Sequence, residues 1–306
     1  MPSTPPPITL PPGRAVQLPG RGTTWVREAA GPPGAATVVL LHGWTATADL
    51  NWAPTYGPLS RYFRVLAMDH RGHGRGIRAR RPFRLEDCAD DVAAMADATD
   101  TDRFIVVGYS MGGPIAQLTW KRHRERVSGM VLCATSRRFS GSDVRERALF
   151  GGLYGLSMAT RVAPPRVRRA MISALINRRS EQADRTGHLP VPFREWAIDE
   201  LSRHDPAELL QAGYAIGGFD SRSWIGEVDV PAAVVITRQD QLVAPRYQLA
   251  LAESIPGATI HGVDGNHSVC VEHPQRFVPA LVNACRSVNA RIQPRTPARP
   301  QSTGRY

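Results

Sequence analysis

The stretch Gly108-Tyr109-Ser110-Met111-Gly112 decides how the chain reads. Before it stands the apolar run Phe104-Ile105-Val106-Val107, the pattern of a short buried strand. After it comes Pro114-Ile115-Ala116-Gln117-Leu118, the opening of a helix, with proline in the first turn, where its missing N–H costs nothing. A serine between two glycines at a strand-to-helix turn is a nucleophile elbow. The glycines follow from the tightness of the turn, because side chains on either side of the serine would collide with the neighbouring strand and helix. Ser110 is expected at the positive end of that helix, its hydroxyl raised above a sheet edge.

Working outward, strand and helix patterns alternate on both sides of the elbow. Upstream, Thr23 to Glu28 has strand character, and Thr37-Val38-Val39-Leu40-Leu41 is apolar on both faces, as a covered parallel strand is. That run ends at His42-Gly43-Trp44, and a helical stretch follows through Trp52 and Leu59. Arg64 to Met68 reads as another buried strand and ends in Asp69-His70-Arg71-Gly72-His73-Gly74. Leu85 to Ala98 carries apolar residues on one helical face. Downstream, Val127 to Cys133, Ala233 to Thr237 and Thr259 to Val263 are strands, and Pro245 to Ile255 and Pro274 to Val288 are helices. Such alternation implies βαβ units and an α/β fold, a mostly parallel central sheet flanked by helices.

The alternation breaks between residues 136 and 223, which hold helical pieces (Ser142 to Met158, Pro165 to Asn177, Pro192 to Ser202, Pro206 to Ile216) and no convincing strand. The spacing predicts an irregular segment at 1–20, a core at 21–135 and 224–289, a helical cap inserted at 136–223, and a disordered basic tail at 290–306.

At 306 residues, with 42% hydrophobic residues, the chain has the composition of a globular protein, and no apolar run approaches the ~20 residues of a membrane span. The N-terminus lacks the basic and apolar regions of a signal peptide, and a cytoplasmic location is expected. Cys88, Cys133, Cys270 and Cys285 are scattered, with no metal-binding spacing, so neither metal nor cofactor is expected. The net charge of +11 is almost wholly arginine, Lys121 being the only lysine. No DNA- or RNA-recognition motif accompanies it, so no specific nucleic-acid partner is expected. The basic tail allows at most weak contact with an anionic surface. The oligomeric state is not legible.

Together the His-Gly-Trp after an early strand, the Asp-x-x-Gly-x-Gly of Asp69 to Gly74, the elbow, an acid after a late strand and a histidine after the last one resemble the α/β-hydrolase superfamily over about Thr23 to Val288. The resemblance implies Ser110 as nucleophile, Asp240 as acid and His267 as base. Chemistry asks for the same types: a serine hydroxyl needs an adjacent base, histidine titrates near neutrality, and a carboxylate fixes its tautomer. All three follow parallel strands at their C-terminal ends, the edge where open α/β sheets bind ligands. The rivals stand elsewhere: His261 inside a strand, His273 just before a helix, and Asp264 too near His267 in the chain to aim at it. The sequence departs from the family in having Thr237 three residues before the acid and Asn266 before the histidine, positions where glycine often stands.

The resemblance also implies an oxyanion hole built from the backbone N–H of Met111 and of Trp44. His42, Gly43, Tyr109, Leu153, Tyr154 and Met158 are expected to line the substrate pocket, while His42 and Asp69 also read as supports of the oxyanion loop and its neighbouring turn. The expected partners are a small acyl substrate and water, and the expected reaction is hydrolysis of a carboxylic ester through an acyl-enzyme. The same triad serves thioester, C–C bond, acyl-transfer and perhydrolase chemistry. From a different class, a ligand-binding protein on the same scaffold stays open.

Overall fold

The computed structural model describes residues 8–78, 81–139, 152–153, 155–158, 164 and 191–293, the side chains of 191–194 aside. Eight strands form one sheet: β1 (Gly13–Leu18), β2 (Gly22–Ala29), β3 (Thr37–Leu41), β4 (Arg64–Met68), β5 (Phe104–Tyr109), β6 (Val127–Cys133), β7 (Ala232–Thr237) and β8 (Thr259–Val263). Their spatial order is β1-β2-β4-β3-β5-β6-β7-β8. The strands from β4 across to β8 run parallel, and β1 and β2 add an antiparallel margin.

Strand β1 corrects the expectation of an irregular segment over residues 1–20. Its sequence, Gly-Arg-Ala-Val-Gln-Leu, alternates: Val16 and Leu18 are buried against the core while Ala15 and Gln17 face solvent. The prolines that hid it in the sequence end at Pro12, one residue before the strand begins.

The helices in chain order are α1 (Ala48–Trp52), α2 (Tyr56–Ser60), α3 (Leu85–Ala98), α4 (Gly112–Arg122), α5 (Val191–Ser202), α6 (Pro206–Gly217), α7 (Pro245–Ser254), α8 (Val269–Glu272) and α9 (Pro274–Asn289). The stretch around Trp52 and Leu59 is two short helices joined by a 3-10 turn at Ala53–Thr55. Residues 152, 153 and 155–158 are also helical. The region expected to be helical at Pro165 to Asn177, most of Ser142 to Met158, Tyr154 and the end of the basic tail lie outside the described residues.

Each central strand is buried on both faces, and successive side chains divide between two layers. Val39, Leu41, Phe104, Val106, Met130 and Leu132 pack with α3, α4 and α7 on one side. Val38, Leu40, Ile105, Val107, Val131 and Cys133 pack with α1, α2 and α9 on the other. This period-two division is why the strands read as continuous apolar runs. Among the described residues no helix is long and apolar enough to cross a membrane.

The insertion between β6 and β7 is closed at its base by a bridge between Arg138 and Asp220 and by the Ser221 N–H donating to the Arg137 carbonyl. The register aligns Leu41 with Gly108, Tyr109 with Cys133, and Thr237 with Val263. The chain therefore leaves β3, β5, β7 and β8 along one edge of the sheet.

Candidate active site

Ser110 follows β5 directly and adopts a left-handed φ of 52°, a conformation that a non-glycine residue holds only under restraint from its surroundings. The restraint is visible. The Ser110 N–H donates to the Cys133 carbonyl, and the Ser110 carbonyl accepts from the Gly113 N–H and from the Thr135 hydroxyl. The flanking glycines are required by contact: a Cβ at Gly108 would lie 2.2 Å from the Gly112 carbonyl oxygen, and one at Gly112 would lie 2.1 Å from that of Leu41.

Two strands away Asp240 follows β7, and His267 follows β8. The acid and histidine loops are laced together, with the Arg238 N–H donating to the Val263 carbonyl and the Gln239 N–H to that of Gly265. His267 Nδ1 stands 2.7 Å from Asp240 Oδ2, and Nε2 stands 2.9 Å from Ser110 Oγ. The consistent proton assignment is Nδ1–H donating to the carboxylate and Nε2 accepting from the serine hydroxyl.

Asp240 is aimed by its own loop. Its Oδ1 accepts from the N–H groups of Leu242 and Val243, both at 2.9 Å, and its Oδ2 accepts from the Thr237 hydroxyl at 2.8 Å. Thr237, the departure from the family's glycine, is thus a supporting donor. Burial pushes the Asp240 carboxyl up, but the His267 bond and charge, with Val243 and Thr237, hold it below the usual carboxylate range. Asp264 is turned outward to Arg238 at 3.0 Å, His261 sits within β8, and His273 precedes α9.

Facing the serine is the segment after β3. An added Cβ at Gly43 would stand 3.3 Å from the Ser110 Cβ, so this backbone passes directly against the nucleophile candidate. The Gly43 N–H donates to Asn51 Oδ1 at 2.9 Å. Asp69, wholly buried, joins this loop to the next: Oδ1 accepts from the Ala48 N–H and Oδ2 from the Arg75 N–H. Burial raises its pKa against the lowering effect of those bonds and of the Arg75 charge.

Two expected pocket residues lie elsewhere. Tyr109 is buried in the layer beneath, its ring packed on Trp52 and Phe277, and its hydroxyl donates to the His267 carbonyl at 2.7 Å. Strand alternation explains this, since Tyr109 shares a face with Val107 and Ile105. It braces the histidine loop from below. His42 is also fully buried. Its Nδ1 lies 2.8 Å from the Gly43 carbonyl, and Nε2 accepts from the His70 N–H. Burial lowers its pKa to about 4. Leu153 is brought up to Trp44, both crowding the space above Gly213, and Met158 is half-buried.

Several structural supports escaped the sequence. Arg27 and Arg75 both bind Asp49, and Arg75 also binds Glu200 of α5 at 3.0 Å, with Thr47 completing the group. Nothing in the sequence separates these arginines from the chain's many others. Thr135 lies two residues past a strand, at a position any polar residue could fill. Among the described residues no group of three or more His, Cys, Asp or Glu side chains is arranged to hold a metal ion.

A serine on a strained elbow, hydrogen-bonded to a histidine that is bonded to an acid, at the C-terminal edge of a mostly parallel sheet, defines a class of protein. The sequence model of the alpha/beta hydrolase fold matches residues 36–274, and the chain belongs to that family of hydrolases. It is similar to RutD of Agrobacterium fabrum, a protein named for carbamate hydrolysis, at 25% identity over 258 residues, covering 81% of this chain and 92% of that one. It is similar also to the pimeloyl-[acyl-carrier protein] methyl ester esterase of Chromobacterium violaceum, at 28% identity over 253 residues, covering 80% of this chain and 92% of the other. The enol-lactonase of Burkholderia xenovorans LB400 shares the fold, with a TM-score of 0.71 at 24% identity over 88% of this chain and 98% of that one.

Proposed function

We propose that the protein is a serine hydrolase that cleaves a carboxylic ester through an acyl-enzyme, with Ser110 as nucleophile, His267 as base and Asp240 as its orienting acid. The observation that carries this reading is the continuous hydrogen-bonded chain from Ser110 Oγ through His267 to Asp240, at 2.9 and 2.7 Å. Ser110 Oγ attacks the acyl carbonyl carbon while its proton passes to His267 Nε2. The carbonyl oxygen becomes an oxyanion facing the N–H groups of Met111 and Trp44. Collapse breaks the ester C–O bond, and the departing alkoxide takes the proton from His267. Water then attacks the acyl-enzyme with His267 again as base, releasing the carboxylic acid and restoring Ser110.

Residues 136–223 serve in this reading as a cap that shapes the acyl pocket, with Leu153, Met158 and the Trp44 indole as apolar wall. The relative named as a methyl ester esterase supports an ester substrate. One relative is named for carbamate hydrolysis, and a carbamate presents a carbonyl open to the same attack by Ser110, so carbamates belong in the test. The test is turnover of p-nitrophenyl esters of graded acyl length and of a p-nitrophenyl carbamate, alongside labelling by a fluorophosphonate probe. Ester turnover with an acyl burst, and labelling abolished by Ser110→Ala, are expected. Labelling that survives Ser110→Ala refutes the nucleophile, and tight ester binding without product returns the chain to a ligand-binding role.

A further inference from the structure

The insertion between β6 and β7 touches the core at several points, and one of them reaches the oxyanion loop. Trp44 carries, in its backbone, the N–H assigned above to the developing oxyanion. Its side chain points a different group at a different partner: indole Nε1 donates to the Leu209 carbonyl, in the first turn of α6, at 2.8 Å. One turn along the same helix face stands Gly213. A Cβ there would lie 2.7 Å from Trp44 Cζ2, 3.0 Å from Cη2 and 2.8 Å from Leu153 Cδ1. Glycine is what lets the indole lie against the helix backbone.

Helix α6 is itself seated on the core. The Asp205 N–H donates to the Gly72 carbonyl, and the Asp205 carboxylate caps the helix by accepting from the Glu208 N–H. His204 Nδ1 accepts from the Gly74 N–H, and Gln211 Oε1 accepts from the Phe83 N–H, each at 2.8 Å. The oxyanion loop, by contrast, needs holding. Thr45 adopts a φ of 60°, a left-handed conformation that a β-branched residue keeps only when its surroundings impose it.

We propose that the Trp44 indole is a positioning element that locks the oxyanion loop to α6, with Gly213 as its seat, so that the aim of the Trp44 N–H depends on α6 being docked. The proposal rests on the serine-hydrolase reading. A donor held by a joint of this kind matters most when the oxyanion forms and little when the ground-state ester binds. Loosening the joint therefore lowers kcat and leaves KM.

The test uses the full chain and two variants. Trp44→Phe keeps an aromatic ring and removes the Nε1 donor, and Gly213→Ala puts a methyl group into the seat. Kinetics are read on a short p-nitrophenyl ester, together with inhibition by a trifluoromethyl ketone whose hemiketal oxygen occupies the oxyanion hole. Loss of a whole oxyanion donor costs about 10²–10³ in kcat, and a mis-aimed donor a part of that. Each variant is expected to lower kcat about tenfold, to weaken the ketone by a similar factor, and to leave KM within about twofold. The double variant is expected to be no worse than the poorer single, because both act through one joint. A raised KM with kcat intact reduces the indole to a pocket wall and overturns the proposal, as do losses that multiply in the double variant. If Gly213→Ala fails to fold, Trp44→Phe with the ketone decides alone. Fluorophosphonate labelling of the unaltered protein keeps the two ideas apart. No labelling defeats the serine-hydrolase reading itself, whereas labelling with Trp44→Phe kinetics unchanged defeats only the joint.

Discussion

Two kinds of histidine stand at the same edge of this sheet, and they are held in opposite ways. His267 has a carboxylate on Nδ1 and a hydroxyl on Nε2, and its side chain keeps 18% of its exposure. By contrast, His42, His70, His73 and His204 form a buried cluster, with ring centres 4.3 Å apart for His42 and His70, 5.3 Å for His42 and His73, and 5.4 Å for His73 and His204. Among the described residues no carboxylate bonds to any of these four rings. Among the described residues Nε2 of His73 has no hydrogen-bond partner, and the only backbone groups that favour a proton on His70 and His204 are those of His42 and Thr45. Burial is the first cause of a lowered pKa in all four, to about 4 for His42 and about 3 for His73, and further cluster members add repulsion at His70, His73 and His204. A histidine becomes a base for chemistry when a carboxylate and a substrate-side partner flank it. Without them, burial makes it an uncharged packing piece.

The sharpest way to break that contrast is to remove one member of each kind. His267→Ala is expected to lower kcat by about 10⁴-fold or more, because the proposed nucleophile loses its proposed base. Its melting temperature should hardly move, since the ring is part-exposed on a loop. His42→Ala is expected to cost about 2–3 kcal/mol of stability in urea unfolding, from a cavity and from the His70 N–H left without its acceptor. If His267→Ala retains activity, or if it proves the more destabilising of the two, the assignment of roles fails.

The second test is acid. An unfolded histidine titrates near 6.5, and these four titrate lower when folded. Below about pH 6.5 the unfolded chain therefore binds more protons, and stability falls as pH drops. Each histidine adds a slope of up to about 1.4 kcal/mol per pH unit, ending near pH 4 for His42 and near 3 for His73. Above about 6.5 the cluster contributes no pH dependence. Asp69 and Glu200, whose pKa values are raised first by burial, oppose the loss. Urea midpoints measured from pH 7.5 to 4.5 should be level at first and then decline steeply. A midpoint that does not change down to pH 4.5 contradicts the buried, neutral cluster.

The contrast also marks what the sequence could tell. The convergence of Ser110, Asp240 and His267 was legible because each follows an apolar run, and parallel strands deliver their C-terminal ends to one edge. The elbow glycines were legible because backbone crowding leaves no other residue. The parts that stayed hidden depend on which faces meet. Val16 and Leu18 make an ordinary edge strand, but Pro12 and Gly13 masked it. Tyr109 reads as a neighbour of the nucleophile, yet alternation carries its ring to the opposite layer. The Trp44 contact joins residues 165 positions apart, and its only trace in the sequence is a glycine inside a helix. Likewise His204 shows no sign in the sequence of meeting His73, because its position depends on how α5 and α6 dock.

The smallest expected effect lies at His70, and it is the most discriminating. Its ring is wholly buried, the His42 backbone is the one hydrogen-bonding group that favours its proton, and burial outweighs it, so the side chain contributes packing while carrying a desolvation cost. Leucine has a similar volume and no polar atom. His70→Leu is expected to change stability at pH 7 by less than about 1 kcal/mol, in the stabilising direction if the packing is kept. It should also make the acid decline shallower, by one histidine's share. The backbone N–H of His70, which donates to His42 Nε2, is untouched by the substitution, so the two rings are separable. A loss of 2 kcal/mol or more, about the cost of stripping a buried hydrogen bond, means that the His70 nitrogens are satisfied, by the His42 backbone or by buried water. In that case the cluster is a satisfied polar network and the acid slope belongs to fewer than four rings.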